Sequence, residues 1–142
     1  MRSMLKSTPV SIRLRPETYR MAVEMARRTS RSLSAVLSEL TEEALRTRRY
    51  AGIAFAGAPG ERRARIEGAG LDVWEIVAVH KACGEDTQRT LQILEHLSPR
   101  QVEAALRYSR AYPEEIEALV AENERSPDEW ERLYPHLTPL SG

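Results

Sequence analysis

Near the start of the chain, Pro9-Val10-Ser11-Ile12-Arg13-Leu14-Arg15 alternates polar with apolar positions, the period of a half-buried strand. Val10, Ile12 and Leu14 share one face of that strand, and Pro9, Ser11 and Arg13 share the other. Two helical patterns come directly after it. Arg15-Pro16-Glu17-Thr18 reads as a helix start, with proline at the first helical position and an acid in the first turn. Tyr19, Ala22, Val23 and Ala26 then recur at helical spacing, which predicts a helix from Pro16 to near Arg28. Thr29-Ser30-Arg31-Ser32 interrupts the period, and Ser32 is placed to cap a second helix that ends near Arg49. Leu33, Val36, Leu37, Leu40 and Ala44 form its predicted apolar stripe. With helices and no strand next in the chain, the backbone groups of residues 9–15 must pair elsewhere, and a second copy of the chain is the economical partner.

Residues 51–61 are small, with glycine and proline, and read as a linker with room for a short strand at Ile53 to Phe55. A second short strand fits near Ala64 to Glu67, ahead of a turn at Gly68-Ala69-Gly70. From Leu71 onward the pattern is helical in three pieces. Val73, Ile76, Val77 and His80 mark the first, which Gly84 ends, and Leu91, Ile93 and Leu94 mark the second. Ser98-Pro99-Arg100-Gln101 opens the third with a capping-box spacing, and Val102, Ala105, Leu106, Ile116 and Leu119 carry its apolar face. Pro113 predicts a kink or break near Tyr112. Residues 126–142 form a tail, opening on a short capped helix at Ser126-Pro127. The predicted fold class is mainly α: an N-terminal strand and helix pair in residues 1–50, the linker 51–61, a small helical bundle in 62–125, and the tail.

The net charge of zero conceals an asymmetry. Residues 1–50 carry 11 Lys and Arg against 5 Asp and Glu, whereas residues 51–142 carry 10 against 16. A basic head favours a polyanion through counterion release, and the acidic remainder does not add to that attraction. The apolar runs fall short of the ~20 residues of a membrane span. The start lacks the apolar region of a signal peptide, so a cytoplasmic location without membrane contact is expected. The single cysteine, Cys83, excludes an intrachain disulfide.

The segment PVSIRLRPETYRMAVEMARRTSRSLSAVLSEL, residues 9 to about 49, resembles the ribbon-helix-helix (Arc/MetJ-type) family of DNA-binding proteins. That resemblance implies two chains pairing their strands antiparallel into a ribbon that enters the major groove. It makes Pro9, Ser11 and Arg13 the base-reading residues. Val10, Ile12 and Leu14, with Val36, Leu37 and Leu40, become dimer core. Arg15, Arg31, Ser32, Leu33 and Ser34, around the start of the second helix, would hold DNA phosphates. Ser30 stands where the family often has glycine. Further on, RARIEGAGLDVWEIVAVH and LSPRQVEAALRYSRAYPEEIEAL, within residues 62 to about 121, resemble a trihelical, helix-turn-helix-like domain of VapB-type antitoxins. Here Gly68 precedes Ala69 and Gly70, where that family commonly has a threonine-arginine pair.

The two resemblances imply a homodimeric type II antitoxin that represses its own transcription and neutralises a partner toxin, a VapC-like PIN-type ribonuclease. Trp130, Leu133, Tyr134 and Leu137 have little remaining chain to bury them, so they are the candidate toxin-binding residues; packing back on the dimer fits them equally well. A free-standing regulator with an oligomerising or sensing second domain is the alternative, and an interaction adaptor that reads no DNA is a third.

Other features look chemical without making a site. His80 and Cys83 stand three apart, but two ligands are too few for a metal, and packing explains them. Glu114, Glu115 and Glu117 read as a solvated helix face, and Trp74 as core. No nucleotide loop, nucleophile motif or metalloprotease motif occurs, so neither enzymatic activity nor a cofactor is expected.

Overall fold

Local caps set most of the helix limits in the computed structural model, which describes residues 7–124 together with Glu129 and Arg132. Helix α1 (Pro16–Thr29) starts with Pro16 in the first turn, where its missing N–H is not needed, and with Glu17 beside the positive helix end. It closes at Ser30, which takes the left-handed conformation at φ 54°. The Ser30 N–H donates to the Arg27 carbonyl (3.3 Å) and the Arg31 N–H to the Ala26 carbonyl (3.0 Å), the two bonds of a Schellman closure. Serine at a left-handed position is strained. Ser30→Gly is therefore expected to stabilise the head by about 0.5–1 kcal/mol, read as a raised unfolding midpoint in denaturant. Helix α2 (Leu33–Arg49) begins as the serine predicts: Ser32 Oγ accepts the Ala35 N–H at 3.0 Å.

The chain divides into two compact units, residues 1–40 and 41–142. In the first, Ala22, Ala26 and Val36 are the buried apolar residues. The predicted stripes are wider than the ones observed. Leu33 and Leu37 are half-buried, Ala44 further along α2 is exposed, and Tyr19 and Leu40 remain 51% and 43% exposed. Two short helices cover only the strip between them, so the flanks of each stripe meet no neighbour in this unit. Residues 7–15 form no ladder within the chain; among the described residues the strands come after both helices.

In the second unit, β1 (Ile53–Ala56) pairs antiparallel with β2 (Arg63–Ile66) in the register Ile53↔Ile66 through Ala56↔Arg63. The segment expected to be a linker therefore contains a strand and its turn. Ile53, Ala64 and Ile66 point into the core. Gly57 opens the turn at φ 117°, where a Cβ would lie 2.6 Å from the Glu61 carbonyl oxygen, so only glycine fits. Helix α3 (Val73–Ala82) starts where Glu75 Oε1 accepts the Asp72 N–H at 3.1 Å. It is buried almost all round, from Val73 to His80, because it packs against β2 and the three later helices. Those are α4 (Thr87–Ile93), α5 (Pro99–Ala111) and α6 (Pro113–Glu122). At the start of α5 the box is complete: Ser98 Oγ accepts the Gln101 N–H (3.1 Å), and Gln101 Oε1 accepts the Ser98 N–H (2.8 Å). Pro113 makes a full break at Tyr112, so the third predicted helix is two, α5 and α6. The whole is mainly helical with one small antiparallel sheet.

Candidate nucleic-acid interface

Val10 and Ile12 are 77% and 58% exposed, and Leu14 is half-buried. Pro9, Ser11 and Arg13 are exposed as well, so both faces of this extended arm are open in the single chain. Arg15 is exposed and extended, and its carbonyl accepts the Tyr19 N–H at 2.9 Å, the first bond of α1. At the start of α2, Ser32 satisfies the Ala35 amide, while the Leu33 and Ser34 amides sit in the first turn, where no intrahelical acceptor exists. That is the arrangement a phosphate oxygen needs. Arg31 differs from its expected role. It is committed to Glu39 at 2.9 Å with both side chains largely buried, so a phosphate would have to compete for it. Of the proposed dimer-core residues on α2, Val36 is already buried within its own chain, Leu37 is half-buried and Leu40 is exposed.

The basic run of the second unit is consumed internally. Arg62 grips Glu43 through Nε (3.1 Å) and Nη2 (2.8 Å), and also donates to the Phe55 and Gly57 carbonyls. Arg63 and Arg65 approach the carboxylate of Asp72 at 3.2 and 3.5 Å, and Trp74 Nε1 donates to the same group at 3.2 Å. These arginines face carboxylates of the same unit, which reduces their attraction for a phosphate. Trp74 lies in the core, as predicted.

Sequence reasoning missed a buried polar network on the C-terminal half of α2. Arg46 Nη1 donates to Tyr108 Oη (2.7 Å) and to Glu115 Oε1 (2.9 Å), Arg46 Nη2 donates to Glu42 Oε1 (2.6 Å), and Tyr108 Oη donates to Glu115 Oε2 (2.9 Å). The guanidinium lies 3.9 Å from the centre of the Tyr112 ring, and Tyr50 packs edge-on to both Tyr108 and Tyr112. Burial opposes the Arg46 charge, yet its bonds to Glu115 and Tyr108 hold the pKa above the usual arginine value. Burial, then the adjacent Glu115 carboxylate, pushes the Tyr108 hydroxyl well above 10. Glu115 is thus a network member and not part of a solvated face, while Glu114 and Glu117 are exposed as expected. Only the Glu42 and Arg46 pair, four apart on one helix, carries a sequence signal.

His80 packs as a core residue. Thr90 Oγ1 gives its hydrogen to the Asp86 carbonyl (2.8 Å), so the 3.0 Å contact with His80 requires His80 Nδ1 to donate. Cys83 is buried, and burial pushes its thiol up against the opposing influence of Thr90 and Arg89. Among the described residues, no group of three or more His, Cys, Asp or Glu side chains is placed to hold a metal ion, and no helix is long and apolar enough to cross a membrane. The candidate toxin-binding residues Trp130, Leu133, Tyr134 and Leu137 lie outside the described residues. Comparison of the chain with protein-family models, with curated proteins and with solved structures found no match.

Proposed function

We propose that two copies of this chain pair their N-terminal arms into an antiparallel ribbon that binds operator DNA and represses transcription, and that the remainder of each chain holds a toxin. The supporting observation is the poverty of the head's own core. Residues 1–40 bury Ala22, Ala26 and Val36 but leave Val10, Ile12, Tyr19, Met21, Met25 and Leu40 largely exposed. A unit of about 40 residues without disulfide or metal needs oligomerisation to be stable. Pairing of Val10, Ile12 and Leu14 across a twofold supplies that burial and turns Pro9, Ser11 and Arg13 outward together.

Gel-shift titration against the DNA upstream of the chain's own coding region, across a salt series, tests this reading. Affinity should fall steeply with salt. Arg13→Ala should cost about 1–3 kcal/mol of operator binding and relax preference at one base position, with dimerisation intact. Unchanged affinity at fixed salt would take Arg13 off the reading face.

The antitoxin part rests on the resemblance and on the internal pairing of Arg62, Arg63 and Arg65, which directs the second unit toward protein contacts. The same observation suits a free-standing regulator with an oligomerising second unit. Co-purification with the product of the neighbouring coding region separates them: a bound small protein supports the antitoxin, and a chain that purifies alone supports the regulator.

A further inference from the structure

One face of α6 is not covered by the core. Ile116 is buried, but Ala118 and Leu119 on the adjoining side open onto a cleft of about 710 Å³ between α6 and the turn that joins β1 to β2. The charged walls of this cleft are already engaged. Arg62 is bound to Glu43 and two carbonyls, Arg63 pairs with Asp72, and Glu115 takes up Arg46 and Tyr108. A polar ligand therefore gains little there, whereas an apolar side chain gains the floor of Ala118 and Leu119 and the stems of the arginines. Asn123 closes one end of the cleft, with its N–H and its Nδ2 both donating to the Leu119 carbonyl (3.1 and 2.8 Å). The chain leaves α6 at that point.

The next large apolar residues in sequence are Trp130, Leu133 and Tyr134, which fall on one face in helical register. The two described positions of that stretch, Glu129 and Arg132, are helical and exposed, and they lie off that face. Seven steps of chain from Asn123 to Trp130 span at most about 25 Å when extended, and about 10 Å as helix, so a stripe that returns over α6 is within reach. Covalent attachment also gives it an effective concentration in the millimolar range, which a separate ligand must exceed. We propose that the cleft beside α6 is the docking site of the chain's own C-terminal segment, with Trp130 seated against Ala118 and Leu119. The docking belongs to the free chain and stands apart from the DNA and toxin readings; a partner that uses the same stripe has to displace it.

Trp74→Phe leaves Trp130 as the sole tryptophan of the full chain. The expected result is blue-shifted Trp130 emission with quenching by acrylamide several-fold below that of the chain unfolded in guanidinium. Ala118→Glu, a change at an exposed position, should return both values to those of a free indole without altering the far-ultraviolet circular dichroism; Leu119→Glu should do the same. Free-indole emission before any change to the cleft would overturn the proposal. So would shielding that survives both glutamates, or shielding lost on dilution, which would put the stripe on a second copy. If Trp74→Phe does not fold, fluorine NMR of the 5-fluorotryptophan-labelled natural chain gives the same answer. The Trp130 resonance must then move with Ala118→Glu while that of Trp74 stays, and an unmoved Trp130 resonance rejects the docking.

Discussion

Ile12→Lys is expected to abolish self-association of the head and, with it, specific DNA binding. In the proposed ribbon each Ile12 faces the interior across the twofold, so one substitution acts twice. Losing two buried isoleucine side chains costs about 1.5–3 kcal/mol each, and two ammonium groups brought into an apolar interface add to that. The sum is on the order of 5 kcal/mol per dimer, a shift of more than a thousandfold in the association constant. The single chain gives the residue nothing to lose, since Ile12 is 58% exposed there. The damage should therefore appear in sedimentation and gel shift while the melting of the second unit stays unchanged. A dimeric, DNA-binding Ile12→Lys protein would mean that the arm presents its faces the other way round.

Arg46→Met should lower the stability of the second unit by about 2–3 kcal/mol, or roughly 10 °C in melting temperature. Methionine keeps most of the stem but removes the donors that Tyr108 Oη and Glu115 accept, together with the cation over Tyr112. Glu115 is 38% exposed on its side chain and can turn toward water, which keeps the loss below that of a fully buried pair. Glu42→Gln is the control. That carboxylate is 62% exposed, and its loss should change stability by less than about 0.5 kcal/mol. An alkaline dependence accompanies the network. Because the folded state raises the Tyr108 pKa above its ordinary 10, the stability this hydroxyl contributes is complete below pH 10 and is lost as the pH climbs toward its folded value. Tyr108→Phe should flatten that alkaline fall. Equal melting temperatures for Arg46→Met and the natural chain would show that α2 is held to α5 and α6 by the aromatic contacts alone.

The elements legible in the sequence share a short range of cause. Pro16, Ser32, the Ser98 and Gln101 box and Pro113 each act on backbone groups within four residues, and each sets a helix limit where it was expected. The two short strands were visible as apolar alternation, but their pairing, and hence the folding of the supposed linker into the second unit, was not. The stripe on α2 was read too wide, since periodicity shows which side of a helix is apolar and not how far a neighbour extends along it.

The candidate site divides along the same line. The sequence by itself determined the reading arm, the serine cap with its first-turn amides and the separation of basic head from acidic remainder, because these are properties of adjacent residues and of simple charge counts. Only the tertiary structure decided which charges are available. Arg46 meets Tyr108 and Glu115 across 62 and 69 residues, and Arg62 meets Glu43 across 19, separations at which no local rule links one side chain to another. An arginine looks alike in a sequence whether its carboxylate partner waits in the same chain or its phosphate partner waits in another molecule, and folding is what chooses between them.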